Sequence, residues 1–355
     1  MSVEKISVDR FAELAGIFPV IDVRSEAEYS HAHVPGAHNL PLFNNEERKI
    51  VGTIYKQQSR ELAIKKGLDF FGPKMKSMIV FAEKINASLG NENKTFIVHC
   101  WRGGMRSAGV AWLLDLYGFK VYTLVGGYKA YRNWVLKQFE KDHRINIVGG
   151  YTGSGKTVLL DELKKFGEAV VDLEGIAGHR GSAFGRIGLP EQTSVEMFEN
   201  KLAMALSTIE REKPGKPIWM EDESQRIGAV SIPHTLWSTM RKSLVYFLHI
   251  PFEKRLAYLV DTYGRLDKQE LYDATTRIQK KLGGLETKTA LQFLEENDLF
   301  GCFDILLKYY DKLYGKSLLS RKEYQEENKD YKIEILSDCV DPVINAKKMM
   351  EVYYG

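Results

Sequence analysis

INIVGGYTGSGKTVLLDELKKF, residues 145–166, opens as a β-branched apolar run. It crosses Gly150, Gly153 and Gly155, then continues with apolar and charged residues at helical spacing. Strand, glycine loop and helix in that order make a phosphate-binding unit of an α/β domain. Gly150, Gly155, Lys156 and Thr157 satisfy the spacing G-x-x-x-x-G-K-[ST]. Glycines let successive backbone N–H groups converge on an anion, and the helix N-terminus adds partial positive charge. Gly150, Gly153, Ser154 and Gly155 are therefore expected to cradle phosphate. Lys156 would supply a mobile cation, and Thr157 a hydroxyl for Mg²⁺. The loop implies a phosphate or diphosphate ligand and says nothing of hydrolysis.

Such a loop calls for a carboxylate at the end of another buried strand. PIWMEDES (217–224) offers Glu221, Asp222 and Glu223, of which Asp222 is the expected holder of Mg²⁺ or its waters; a solvated acidic strand end is the alternative. HRGSAFGRIG (179–188) brings Arg180 and Arg186 among glycines, either gripping further phosphate or RNA backbone, or forming a plain surface loop.

Working outward, short Val/Ile/Phe-rich runs alternate with longer amphipathic stretches, which indicates α/β architecture. Strands are predicted at 18–22, 95–99 and 120–125, with helices over 76–88 and 106–117, the second closed by Gly118. After a charged stretch the pattern restarts at Ile145, so the expected domains are 1–142 and 143–355. The second should hold strands at 145–150, 169–174, 217–222, 243–250 and 331–336. Helical spacing over about 251–314 predicts a helical lid or insertion.

A second loop, CWRGGMRS (100–107), follows the apolar run TFIVH. Gly103 and Gly104 allow the backbone to curl with N–H groups inward, and a helix starting near Arg106 aims its N-terminus at the same bowl. A thiol there is favoured as thiolate. Arg102 and Arg106 add positive charge, Arg106 being placed to grip an oxyanion bidentately. Cys100 is thus a candidate nucleophile beneath an anion cradle formed with Arg102, Gly103, Gly104 and Met105. Cys302 and Cys339 fit the ordinary role of small apolar residues. The Cys-x5-Arg spacing leaves two chemistries open: cleavage of a phosphate ester, or acceptance of a chalcogen atom.

Composition bounds these readings. The chain has 355 residues, 44% of them hydrophobic, and a net charge of +3, which allows an RNA or phosphate partner without requiring one. Its three cysteines are too few and scattered for a disulfide framework or zinc site, so a reducing, cytoplasmic setting is expected. The N-terminal residues do not read as a signal peptide, and no apolar run approaches the roughly 20 residues that span a bilayer.

The flanks of the cysteine loop resemble the rhodanese fold of sulfurtransferases. The resemblance rests on Asp22 and Arg24 in VIDVRSEAEYSHAHVPGAHNLPL (20–42), on HVPGA, and on YTLVGGYKAYRNW (122–134). Ser25 and Ala32 stand where such sequences often have Pro and Gly. The family implies a cysteine that carries sulfur as a persulfide. The loop here is one residue longer than in most single-domain members, a wider bowl suited to a tetrahedral, phosphate-like donor.

A rhodanese-like domain followed by a P-loop NTPase-like α/β domain with a helical insertion resembles, over nearly the whole chain, the tRNA 2-selenouridine synthases. The blocks that carry this are CWRGGMRS, ERKIVGTIYKQQSRELAIKKG (47–67), GGYTGSGKT, DLEGIAGHRGSAFG (172–185) and MEDESQRIG (220–228). The family implies a tRNA partner with 2-thiouridine at the wobble position, and replacement of its sulfur by selenium from selenophosphate. It implies a Cys100 perselenide, an S-geranyl-2-thiouridine intermediate made from geranyl diphosphate, and a selenophosphate-producing enzyme as partner. On this reading the P-loop binds geranyl diphosphate; ATP or GTP stays open. The apolar residues of 251–314 either house a terpenyl chain or form plain core. TRIQKK (276–281) is a basic stretch or a solvated helix face. Two other functions compete: an ATP-dependent tRNA sulfurtransferase, and a nucleotide-gated regulatory protein with a degenerate rhodanese domain.

Overall fold

The computed structural model describes residues 3–90, 94–182, 184–321 and 331–355; Ala183 of the HRGSAFGRIG segment lies outside them. The chain divides into two compact units, residues 1–138 with 199–204, and residues 139–198 with 205–355.

The first unit runs β1 (Glu4–Ile6), α1 (Val8–Leu14), β2 (Val20–Asp22), α2 (Glu26–His31), β3 (His38–Asn39), α3 (Asn45–Gln57), α4 (Arg60–Ser88), β4 (Thr95–His99), α5 (Met105–Tyr117), β5 (Lys120–Leu124) and α6 (Gly127–Gln138). Its sheet has the order β1-β5-β4-β2-β3, all parallel. β4 is buried along its whole length, as a central parallel strand covered on both faces must be. Its predicted bounds match, and α5 ends at Gly118, whose φ of +109° no β-carbon tolerates comfortably.

The helical region between β3 and β4 is longer than the predicted 76–88. α4 begins at Arg60, with Ser59 accepting from the Leu62 amide, and carries Pro73 in its interior. α3 precedes it, started by a reciprocal capping box between Asn44 and Glu47. Gly67, Gly72 and Pro73 weaken the local helix signal, which is why pattern alone found only the C-terminal end.

The second unit continues with β6 (Ile145–Gly150), α7 (Lys156–Lys165), β7 (Ala169–Val170), α8 (Leu173–Ala177), α9 (Val195–Glu212), β8 (Ile218–Glu221), β9 (Arg226–Ile227), β10 (Val230–Ser231), α10 (His234–Lys242) and β11 (Leu244–His249). It closes with α11 (Phe252–Tyr263), α12 (Lys268–Arg277), α13 (Gln279–Leu282), α14 (Gly284–Glu295), α15 (Leu299–Ser320), β12 (Lys332–Leu336) and α16 (Pro342–Tyr354). The sheet β12-β11-β6-β8-β7 is parallel throughout, and β9 and β10 form a separate antiparallel ribbon. The strand predicted over 169–174 stops at Val170. Asp172 instead accepts from the Gly175 amide at 2.7 Å and starts α8, an N-cap winning over strand propensity.

The helices of 251–314 bury their apolar residues on one another around Leu271, Leu294, Phe303 and Leu306. Among the described residues no helix is long and apolar enough to cross a membrane.

Candidate active site

Each anion-type loop leaves the C-terminal end of a strand inside its own parallel sheet, β4 or β6, where open α/β sheets present their crevices.

At the end of β4, Cys100 is buried. Its sulfur accepts from the Gly104 amide at 3.3 Å and lies 3.3 Å from the Ser107 hydroxyl. Burial pushes this thiol up, but hydrogen bonds from the Ser107 side chain and the Ser107, Gly104 and Arg102 amides outweigh it. The thiol therefore sits below its ordinary range.

The loop is held from behind by the start of α6. Tyr128 and Lys129 donate their amides to the carbonyls of Cys100 and Trp101 at 2.8 and 3.0 Å. Gly127 has φ +60°, and a β-carbon there would stand 2.4 Å from the Cys100 carbonyl oxygen. Arg24, paired with Asp22 at 2.6 Å, lies 3.7 Å over the Tyr128 ring. Thus the DVR and GGY segments meet directly under the cysteine loop.

Arg102 and Met105 are exposed at the rim. Arg106 is half-buried and engaged: it donates to Glu28 Oε2 at 2.9 Å, and Arg48 reaches the same oxygen at 2.9 Å. Burial raises the Glu28 carboxyl, yet the hydrogen bonds from Arg106, Ser25 and Arg48 bring it down to about 2. Glu28 and Ser107 join the site beyond the residues that the sequence marks; Ser107 closes the quoted motif, but nothing local marks Glu28.

At the end of β6, Gly153 and Gly155 have φ of +80° and +74°. A β-carbon on Gly153 would meet Leu259 at 2.9 Å, so the glycine permits both the turn and the close approach of α11. Lys156 Nζ donates to the Gly150 carbonyl at 3.0 Å. Ser154 Oγ is buried and has no hydrogen-bond partner among the described residues, a polar atom left for an added acceptor or donor. Arg255 braces the loop, donating to the Thr152 carbonyl at 2.9 Å while bound to Asp311 through both carboxylate oxygens.

The carboxylate at the Thr157 hydroxyl is Glu174, 2.8 Å away. Asp222 is engaged by other groups: it accepts from Tyr314 at 2.7 Å, whose hydroxyl accepts from the Gly150 amide at 3.2 Å, and it pairs with the buried Arg321. Glu223 sits with Glu174 on either side of Gly181, whose β-carbon would meet both carboxylates at 2.6 Å. Burial and the Glu174 charge push the Glu223 carboxyl well above its ordinary range. The pair therefore favours sharing a proton or facing a cation. Arg180 is exposed on the same 179–185 loop, and its amide donates to Gly185 O at 2.9 Å.

Among the described residues no cluster of three or more His, Cys, Asp or Glu is arranged to hold a metal. Thr157, Glu174 and Glu223 are nonetheless hard oxygen donors of the type Mg²⁺ takes when phosphate and water complete its shell.

Two cavities differ in kind. Beside the P-loop, Thr152, Ser182, Phe184, Leu259, Tyr263 and Phe303 border only about 20 Å³. In the first unit, a cavity of about 970 Å³ lies among α3, α4 and the start of α5.

Comparison with known proteins agrees with this architecture. Residues 7–133 match the model of the rhodanese-like domain, and residues 143–339 that of the tRNA 2-selenouridine synthase AAA domain. A tRNA 2-selenouridine synthase of Bdellovibrio bacteriovorus is 35% identical, the match covering 90% of this chain and 94% of that protein. One from Sulfurovum sp. is 34% identical over 89% of each chain, and one from Nitrosomonas europaea 35% identical over 86% of this chain and 90% of its own. With both domain models matched in order and relatives of this identity aligned over nearly their full length, the chain belongs to the tRNA 2-selenouridine synthase family.

Proposed function

We propose that this protein converts 2-thiouridine at the wobble position of tRNA to 2-selenouridine through S-geranyl-2-thiouridine, with Cys100 as the selenium-handling nucleophile. The observation that carries the reading is the Cys100 sulfur in its cradle, a thiol held below its ordinary range by amides and a hydroxyl. Its selenium donor is selenophosphate, delivered by a selenophosphate-producing enzyme. Geranylation turns the C2 sulfur into a thioether, a better leaving group than a thione.

Electron counting fixes what Cys100 must do. Thiolate attack on selenium forms an S–Se bond and breaks Se–P, and the Se–P pair leaves on phosphorus as phosphite. The perselenide then attacks C2, geranylthiolate departs and takes up a proton, and a C2–Se–S–Cys100 link remains. An external thiol opens that link with its two electrons, releasing 2-selenouridine and leaving a mixed disulfide that a second thiol reduces. Phosphate as the product would instead mean that selenium stays at the selenide level, with no S–Se bond. Mass spectrometry of Cys100 after selenophosphate treatment, with phosphorus NMR of the product, tests this. Selenium on Cys100 together with phosphite supports it; an unmodified Cys100 with phosphate overturns it.

In the second unit, Lys156, Thr157 and the amides of Gly153–Gly155 would hold the diphosphate of geranyl diphosphate as leaving group. Mg²⁺ on Thr157, Glu174 and Glu223 would neutralise its charge. Loss of geranyl product in Lys156→Ala is the expected result. A nucleotide is the second reading, favoured because the 20 Å³ beside the loop offers no room for a ten-carbon chain without rearrangement.

A further inference from the structure

A mainly apolar cavity in the first unit adjoins the cysteine loop. It measures about 970 Å³, within the roughly 300–1,000 Å³ typical of small-molecule sites. Phe43, Ile64, Phe71 and Met75 line it, and Gly67 allows α4 to approach the Phe43 ring, which a β-carbon would meet at 3.1 Å. Leu68 and Trp112 also border it while 57% and 51% exposed, which extends its apolar lining to the protein surface. Met105 and Arg106, from the cysteine loop where it enters α5, contribute to its wall.

Cations sit at its border: Arg48, Lys49, Lys56 and Arg106. Of these, Arg48 and Arg106 are paired with Glu28. An apolar cavity with a cationic border complements a molecule that joins a hydrocarbon chain to an anionic body. A second copy of this chain or an apolar peptide would not use that charge.

We infer that this cavity binds the ten-carbon chain of the S-geranyl group carried on the tRNA base, while the RNA backbone meets the bordering lysines. The inference rests on the geranyl route proposed above and deepens it. Displacement at C2 requires the departing geranylthiolate to lie beside the attacking selenium. A mainly apolar cavity partly walled by the cysteine loop meets that demand, and the small cavity beside the P-loop does not.

The test measures binding of the full chain to two anticodon stem-loop RNAs, identical except that one carries S-geranyl-2-thiouridine and the other 2-thiouridine. The expected result is at least about tenfold tighter binding of the geranylated RNA. Trp112→Glu and Leu68→Glu, both at exposed positions, should abolish that difference while leaving the affinity for the 2-thiouridine RNA unchanged. A difference that persists in both variants overturns the assignment of this cavity and leaves the geranyl route standing. Equal weakening toward both RNAs in variants with unchanged melting temperature overturns it in favour of a general RNA surface. A fall in mass from dimer to monomer on Trp112→Glu overturns it in favour of self-association. Wild-type protein that neither discriminates the RNAs nor forms geranylated tRNA from geranyl diphosphate brings down the route itself.

Discussion

Arg106 Nη1 lies 2.9 Å from Glu28 Oε2, so the cation of the cysteine loop is positioned by a carboxylate from α2, 78 residues away in sequence. An oxyanion entering the bowl must share Arg106 with Glu28 or displace it. Glu28→Gln should therefore weaken the first-unit structure while leaving Arg106 better able to hold a donor anion. Its folded carboxyl titrates at about 2, below its ordinary value, so the ion pair stabilises fully above about pH 4.5 and is lost as the pH falls toward 2. The expected cost at neutral pH is roughly 1–3 kcal/mol, and the acid-side slope of the melting temperature between those values should flatten. An unchanged slope would remove the pair from the stability account.

Ser107 is the side chain that most lowers Cys100. Replacing it with alanine should shift the midpoint of pH-dependent alkylation upward, because the thiolate loses a hydrogen bond that favours it. Cys302, pushed up to about 12 by burial, should stay unreactive throughout. Alkylation followed residue by residue by mass spectrometry checks both. Equal midpoints for wild type and variant would mean that the amides alone set the thiol.

Gly127→Ala should disable the loop without touching the thiol. The substitution forces a β-carbon into contact with the Cys100 carbonyl and the Gly103 amide, both 2.4 Å away, at a φ of +60°. A destabilisation of roughly 3 kcal/mol and loss of selenium transfer are expected, measured by thermal melting and nucleoside analysis. Wild-type activity would show that the backing by α6 is dispensable.

Glu174 and Asp222 should separate into different roles. Glu174→Gln is expected to weaken Mg²⁺ dependence of the P-loop reaction with little change in stability. Arg321→Met, which strands a buried Asp222, should cost roughly 3–5 kcal/mol. The reverse pattern would return the metal to Asp222.

Much of this was legible in sequence because glycine loops are local. Gly150 to Thr157 and Cys100 to Arg106 fix their own backbone geometry, and the buried strands before them announce themselves by apolar runs. What escaped depends on distance or on weak signals. Glu28 meets Arg106, and Tyr314 meets Asp222, only through the fold. Asp222 was the expected Mg²⁺ holder because it ends a buried strand, whereas Glu174 reaches Thr157 from a helix that an N-cap created. The large cavity was hidden because α4 carries Gly67, Gly72 and Pro73, residues that blur helical spacing while shaping the wall.

The proposed reaction comprises two chemical steps at two loops, with selenium handled by Cys100. Its most direct test supplies the Cys100→Ser protein with tRNA bearing 2-thiouridine, geranyl diphosphate and selenophosphate, and identifies the nucleosides formed. The account predicts that S-geranyl-2-thiouridine accumulates and 2-selenouridine is absent. Formation of 2-selenouridine at the wild-type rate, or loss of both products in a folded variant, would contradict it.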